Sequence, residues 1–176
     1  AEHESKKHGM NISFESIVMT VGAAGGLNII FKTLLNPGDE VITFAPFFGE
    51  YRAYSANYDA NLVVVEPDID TFEPNIEALK SAITPKTKIV IVNSPNNPTG
   101  VIYSDAALTK LSEVLKQKEE ELGIDIFLIS DEPYREIVYD NAQVPCLLKY
   151  YKNTIIGYSY SKSLSLAGER IGYVLF

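Results

Sequence analysis

Cysteine is almost absent from this chain of 176 residues, since Cys146 is the only one. A single thiol cannot form an internal disulfide, so the sequence excludes the class of small secreted proteins that disulfides hold together. Histidine is also scarce, and both copies, His3 and His8, lie in a polar segment at the start of the sequence. With so few nitrogen and sulfur ligands, we expect no metal site.

Positive charge is in short supply as well. The chain has 15 Lys and Arg against 23 Asp and Glu, which gives a formal net charge of -8 at pH 7. Nucleic acids and anionic membrane surfaces bind proteins through clustered Lys and Arg, so the charge balance disfavours both as partners. We therefore expect small-molecule partners, with no nucleic acid and no membrane.

Long apolar runs are missing too. No stretch approaches the ~20 residues that a membrane helix needs, and residues 1–7 lack the apolar core of a signal peptide. These absences predict a cytoplasmic protein. A hydrophobic content of 46% in a chain of this length predicts one globular domain with a sizeable core.

Short apolar runs of strand type alternate with helix-like segments. We predict strands at 17–21, 40–44, 62–65, 88–92, 124–129, 153–158 and 171–176, and helices at 24–35, 47–56, 75–83 and 104–122. Ser104 is the predicted N-cap of the longest helix, and Gly123 is its predicted end. Continuous apolar strands separated by helices are typical of a mostly parallel sheet with helices on both faces. The sequence therefore predicts an α/β fold, a three-layer α/β/α sandwich.

Three polar islands follow predicted strands, at residues 93–100, 130–135 and 159–172. In such a sheet, ligands bind beyond the carboxyl ends of the strands, where the loops converge. We therefore expect the three islands to meet at one site.

The third island contains the most reactive pattern, Lys162 followed eight residues later by Arg170. A lysine forms an imine readily when its pKa is lowered, and desolvation beside a cation such as Arg170 would lower it. The planar guanidinium of Arg170 also suits a phosphate dianion. The alternatives are a surface lysine in a serine-rich loop and a surface ion pair between Arg170 and Glu169.

Other residues have two interpretations each. Asp131 follows an apolar strand, where a carboxylate needs a cation such as a protonated pyridine nitrogen, or else serves as a turn or helix cap. Asn97 offers a donor and an acceptor ahead of a proline, which an ordinary Asn-Pro turn also explains. The small residues 22–26 join a strand to a helix, where they would let backbone N–H groups approach a phosphate or simply form a turn.

Taken together, these residues resemble the fold-type I pyridoxal phosphate enzymes, specifically the class I and II aminotransferases. The resemblance rests on Asn97-Pro-Thr-Gly, Asp131-Glu-Pro-Tyr and Ser159-Tyr-Ser-Lys, followed by Arg170. It spans essentially the whole chain, and it is specific for cofactor and fold but much less so for substrate. It implies that pyridoxal 5'-phosphate is the cofactor and that residues 1–176 are the cofactor-binding large domain.

The resemblance also implies a role for each motif residue. Lys162, Asp131 and Tyr134 would be catalytic: the lysine would form the imine and shuttle the substrate Cα proton, and the aspartate would hold the pyridine nitrogen protonated. Asn97 and Tyr134 would hydrogen-bond the phenolic oxygen of the cofactor. Phe48 would stack on the pyridine ring, with a buried core phenylalanine as the alternative. The groups implied to hold the phosphate belong to Ala23, Ala24, Ser159, Ser161 and Arg170.

The implied reaction is reversible transfer of an amino group between an amino acid and a 2-oxo acid, by a homodimer. A pyridoxal phosphate-dependent carbon–sulfur lyase and an effector-sensing domain of a transcription regulator are the alternatives on the same scaffold. A typical family member is about twice this length. The small C-terminal domain, with the arginine that binds the substrate α-carboxylate, is therefore expected to be absent, and the apolar surface that it would cover is expected to be exposed.

Overall fold

Seven strands form one sheet in the computed structural model of the protein, which describes residues 1–176. Their spatial order is β1-β7-β6-β5-β4-β2-β3. Only β7 runs against its neighbours, and all other adjacent pairs are parallel. The strands are β1 (Ile17–Val21), β2 (Glu40–Phe44), β3 (Asn61–Val65), β4 (Thr87–Asn93), β5 (Phe127–Asp131), β6 (Thr154–Ser159) and β7 (Ile171–Leu175).

Helices cover both faces of this sheet. They are α1 (Glu2–His8), α2 (Gly22–Leu34), α3 (Tyr51–Ala56), α4 (Ile76–Ala82), α5 (Asp105–Leu122) and α6 (Tyr160–Ser163), with short 3-10 turns at Phe14–Ser16 and Leu147–Lys149. No helix combines the length and hydrophobicity that crossing a membrane would require.

Successive residues along each central strand enter different cores, because strand side chains alternate between the two faces. Val41, Ile89 and Ile129 pack with residues of α2 and α3 in one cluster. Val90 and Leu128 pack with residues of α4 and α5 in another. The predicted three-layer α/β/α sandwich with a mostly parallel sheet is therefore confirmed.

Helix α5 has the bounds that its capping residues predict. The side chain of Ser104 accepts a hydrogen bond from the Ala107 N–H at 3.2 Å. Gly123 ends the helix with a φ of 66°, in the left-handed region that glycine adopts without steric cost.

Strand β5 is displaced from the predicted 124–129. Ile126 is buried, but its backbone bonds to side chains: its N–H donates to Glu119, and its carbonyl accepts from the Tyr151 hydroxyl. The sheet ladder begins at Phe127, which pairs with Ile89. Asp131 is consequently the last residue of the strand and does not follow it.

One further prediction needs correction, and two short helices were not predicted. Residues 47 and 48 have no regular structure, residues 49 and 50 form a turn, and helix α3 begins only at Tyr51, since a glycine at position 49 disfavours helix. The lysine segment contains the four-residue helix α6, which is too short to give a periodic pattern. The polar segment at the start is helix α1, whose His8 is buried and bonds to Glu4 at 3.1 Å.

Candidate active site

The predicted site residues all lie at one edge of the sheet. Strands β1, β2, β4, β5 and β6 are parallel to one another, so the loops after them leave from the same edge, and the loop entering the reversed β7 returns there. Asn93, Asp131 and Gly157 are side by side in register across the centre. The Asn93 side chain donates to the Asp131 carbonyl at 2.8 Å and fixes this junction.

Asp131 is buried at the centre of this edge. Its Oδ2 accepts a hydrogen bond from the Tyr51 hydroxyl at 2.6 Å, whereas its Oδ1 is buried without a partner. Burial raises the pKa of Asp131 to about 6; the Tyr51 hydrogen bond opposes this shift and the charge of Glu132 adds to it. A buried carboxylate oxygen without a donor is costly. It is suited to a cationic N–H group that arrives with a ligand.

The start of helix α2 forms a cradle with Arg170. Gly22 has a φ of 67°, and a Cβ at this position would lie 2.6 Å from Nη2 of Arg170. Only glycine therefore lets the guanidinium lie against the helix start. The first turn of a helix leaves its backbone N–H groups without intrahelical partners, and Ala23 and Ala24 provide two of them at this point.

Two serine hydroxyls join this cradle. Ser159 caps helix α6, accepting from the Ser161 N–H at 3.1 Å and donating to the Ser161 hydroxyl at 2.8 Å. Nη1 of Arg170 donates to the Ser161 hydroxyl at 3.4 Å and to the Ala167 carbonyl at 2.9 Å. The surface ion pair between Arg170 and Glu169 does not form, so the arginine remains available to an anion.

Lys162 lies on helix α6, with its Nζ 5.8 Å from the centre of the Tyr134 ring. Tyr134 is half-buried, and burial together with the nearby Asp131 charge raises the pKa of its hydroxyl. The lysine itself is exposed. The desolvation expected from the sequence is thus not supplied by this chain alone.

Asn97 and Tyr134 line one cavity of about 440 Å³, together with apolar residues such as Ile102 and Ile137. The Asn97 backbone N–H donates to the Asn93 side chain at 2.7 Å, which holds the loop against the end of β4. The Asn97 side-chain amide forms no hydrogen bond within the chain, so both its donor and its acceptor are available.

Phe48 is half-buried beside Tyr51, with ring centres 5.7 Å apart and planes at 79°. It lies at the margin of the core cluster that contains Tyr51. A fully buried core phenylalanine, the alternative interpretation, is therefore not what the structure has.

The geometry agrees with the comparison with known proteins. A family model described as aminotransferase class I and II matches residues 2–176. The chain belongs to this family. A probable aspartate/prephenate aminotransferase of Thermus aquaticus is 35% identical over 175 residues, which are 98% of this chain and 44% of that protein.

Solved structures of aminotransferases have the same fold. A structure of an amino transferase from Eubacterium rectale matches with a TM-score of 0.97 and 49% identity, over 99% of this chain and 44% of that one. The aspartate aminotransferase of Thermus thermophilus matches with a TM-score of 0.91 and 32% identity, over the same shares. The chain thus spans less than half the length of the relatives it matches.

Membership of the family implies pyridoxal phosphate, and the residues present fit that cofactor. The unpaired Oδ1 of Asp131 would meet the protonated ring nitrogen. The cradle of Gly22 and Arg170, which a Cβ would fill, would meet the phosphate. An anion site and a buried acceptor for a cation lie along the same edge of the sheet, as a molecule carrying both charges requires.

Tyr51 is the site residue whose role was not predicted. The sequence motifs assign it no role, whereas the structure directs its hydroxyl at Asp131. One signal was available, because a tyrosine near a core needs a partner for its hydroxyl. Nothing in the sequence indicated which partner, since the two residues are far apart in the chain.

Proposed function

We propose that residues 1–176 form the cofactor-binding large domain of a pyridoxal phosphate-dependent aminotransferase. Its reaction would be the reversible transfer of an amino group between an amino acid and a 2-oxo acid. The observation that carries the proposal is Asp131, a buried carboxylate with one oxygen unpaired. The arginine cradle and an exposed lysine at the same edge of the sheet support it.

When bound, pyridoxal phosphate supplies an aldehyde that condenses with amines and a ring that takes up the electron pair released at the substrate Cα. Lys162 provides the amine that holds the cofactor covalently and then moves the proton at Cα. Asp131 keeps a proton on the ring nitrogen, because the charged carboxylate favours the charged partner. Asn97 and Tyr134 donate hydrogen bonds to the phenolic oxygen.

Binding of the phosphate is the task of the second group of residues. The guanidinium of Arg170, the hydroxyls of Ser159 and Ser161, and the first backbone N–H groups of α2 all donate hydrogen bonds. Phe48 would pack against the ring and limit access of water. These residues would hold the cofactor at the edge of the sheet where Lys162 lies.

The proposal also covers domain composition, oligomeric state and cellular compartment. The matched relatives are more than twice as long as this chain, which supports a second, smaller domain that would complete the substrate site. We also propose a homodimeric cytoplasmic enzyme in the longer form. Sedimentation of the longer protein tests the dimer directly.

The first test is borohydride reduction of the protein with added pyridoxal phosphate, followed by peptide mass spectrometry. We expect a covalent adduct at Lys162 and none in Lys162→Ala. The control is Lys152→Ala, which removes an exposed lysine outside the site and should leave the adduct intact. An adduct that survives in Lys162→Ala at another lysine would contradict the proposal.

A second measurement separates the alternatives. With a suitable amino acid donor, the longer protein should accumulate the pyridoxamine form of the cofactor if it is an aminotransferase. A carbon–sulfur lyase would release its product without that form, and an effector-sensing domain would bind the amino acid without turnover. Absorbance spectra distinguish all three outcomes.

A further inference from the structure

Tyr51 contacts the candidate site by a hydrogen bond to Asp131. It has no role in the reaction described so far. It opens helix α3, and it is completely buried. Its hydroxyl reaches across from the loop after β2 to the end of β5, where it donates to Oδ2 of Asp131 at 2.6 Å. A tyrosine of helix α3 thus contacts the acid at the end of strand β5.

The two oxygens of Asp131 are differently engaged. Oδ2 has its donor in Tyr51, whereas Oδ1 has none and is buried. The terminal torsion of an aspartate is broad, so a carboxylate held by no side chain can rotate between orientations. The Tyr51 hydrogen bond removes that freedom and leaves one defined oxygen free.

The Tyr51 ring is itself immobilised. Phe47 stacks on it with ring centres 6.4 Å apart and planes at 11°, and Phe48 meets it edge-on at 5.7 Å. A ring packed on two sides holds its hydroxyl in a fixed place. Phe47 and Phe48 therefore support Asp131 indirectly, because they hold the Tyr51 ring in place.

The charge around Asp131 makes this hydrogen bond important. Tyr51 and Tyr54 face it from α3, and Glu132 and Tyr134 from its own loop. None of these four is a cation. Burial raises the pKa of Asp131 and Glu132 adds to that shift, so the Tyr51 hydrogen bond is the side-chain contact that favours the ionised acid.

We propose that Tyr51 is a positioning residue that keeps Asp131 ionised and turns its free oxygen toward the ring nitrogen of the bound cofactor. The inference rests on the proposed function, because it assumes pyridoxal phosphate in this site. It predicts that Tyr51 contributes to affinity only when the ligand has a ring nitrogen to protonate.

The test uses Tyr51→Phe in the longer protein, with two probes: pyridoxal phosphate and an analogue in which carbon replaces the ring nitrogen. The dissociation constant for pyridoxal phosphate at pH 7.5 should rise about tenfold or more, since a hydrogen bond to a charged group is lost. The constant for the analogue should stay within about twofold, because a neutral Asp131 is the better neighbour for a carbon atom.

Tyr151→Phe is the matched control. It also removes a buried tyrosine hydroxyl, but that hydroxyl donates to Ile126 near the other end of β5. It should leave the ratio of the two dissociation constants unchanged. If Tyr51→Phe weakens both probes equally, its role is structural and the inference is wrong; if it weakens neither, the inference is also wrong.

The pH dependence of cofactor affinity is a further test, because a residue with a purely structural role would not shift it. Affinity of the unaltered protein for pyridoxal phosphate should fall as Asp131 is protonated, near pH 6. In Tyr51→Phe the fall should begin at a higher pH. Substituting 3-fluorotyrosine at position 51, a stronger donor with nearly the same shape, should move it lower, and no movement would overturn the inference even if Tyr51→Phe fails to fold.

Failure of the proposed function has a different signature. If the unaltered protein binds pyridoxal phosphate no more tightly than the carbon analogue, the ring nitrogen meets no acid and the cofactor site itself is wrong. Preferential binding that survives intact in Tyr51→Phe leaves the cofactor site standing and removes only the role of Tyr51.

Discussion

Asp131 lowers the stability of the protein in the absence of a ligand. Its carboxylate is buried, its Oδ1 has no partner, and burial raises its pKa to about 6. An apolar residue or an amide at this buried position would give a more stable fold than a carboxylate. The orphan oxygen makes sense as half of an interaction that a ligand completes.

This cost predicts an effect of substitution on the protein without cofactor. A carboxyl whose pKa is raised on folding destabilises the folded state above that raised value, and the penalty disappears below its unfolded value of about 3.9. Asp131→Asn should therefore raise the free energy of unfolding by about 1 to 3 kcal/mol at pH 8. The gain should shrink between pH 6 and pH 4, as measured by urea denaturation.

The same substitution should weaken binding of pyridoxal phosphate, so stability and affinity move in opposite directions. Asp125→Asn, at an exposed position just before β5, is the control and should change the free energy of unfolding by less than about 0.5 kcal/mol. A loss of stability in Asp131→Asn at pH 8 would contradict the account of a penalised acid.

Gly22 gives a second prediction at the residue scale. Gly22→Ala adds a Cβ 2.6 Å from Arg170 Nη2 at a φ of 67°, so it should lower stability by about 1 kcal/mol and also displace the guanidinium. Gly9→Ala has a similar φ of 62° but open space around the new Cβ. Both variants should lose stability in urea denaturation, and only Gly22→Ala should lose affinity for pyridoxal phosphate, as measured by calorimetry.

At the scale of elements, helix α1 is connected to the lysine helix α6 through side chains. Lys7 lies 2.7 Å from Oε1 of Glu136, whose Oε2 accepts from the Tyr158 hydroxyl at 2.6 Å. That hydroxyl is also 2.7 Å from the hydroxyl of Ser163, next to Lys162. These contacts connect helix α1 to the segment that carries Lys162, the residue proposed to hold the cofactor.

Removing one contact of this side-chain network should make helix α6 less stable locally. We expect Lys7→Met to speed amide hydrogen exchange in residues 160–166, because the Glu136 side chain loses its cation and no longer holds Tyr158 in one place. Lys6→Met is the control, since Lys6 pairs only with the exposed Glu2 on the same helix. Equal exchange in the two variants would show that the network does not support α6.

The elements also show what a sequence can and cannot predict. Helix α5 has local signals at both ends, Ser104 and Gly123, and its bounds were predicted correctly. Strand β5 was misplaced because the partners of Ile126, Glu119 and Tyr151, are side chains whose positions depend on the assembled fold. The resemblance names the motif residues, whose roles stay predictions. The Tyr51 contact to Asp131 could not be predicted, because no local pattern links the two residues.

On the scale of the whole molecule, one face of the sheet is incompletely covered. Exposed apolar side chains of β1, α2 and the C-terminus form a shallow apolar groove whose lining includes Val18, Ile29 and Phe176. Such a surface is expected where the additional parts of a longer protein would pack. An exposed apolar patch of this kind promotes association.

We expect the 176-residue chain by itself to associate in a way that depends on this groove. Ile29→Lys should reduce the sedimentation coefficient toward that of a monomer, because Ile29 is half exposed within the groove. Ile69→Lys changes an even more exposed isoleucine outside the groove and should have no effect. If both variants sediment like the unaltered chain, the groove does not drive association.

The position of β1 has a consequence for synthesis of the protein. Its only partner in the sheet is β7, which follows the other six strands of this sheet in the sequence, and Gly172 of β7 packs directly against Gly22 at the start of α2. While a ribosome is still translating the residues between them, the first strand has nothing to pair with and the arginine cradle does not exist. If the cradle holds the phosphate as we propose, a nascent chain stalled before β7 should not bind pyridoxal phosphate, and binding should begin only after translation has passed this point.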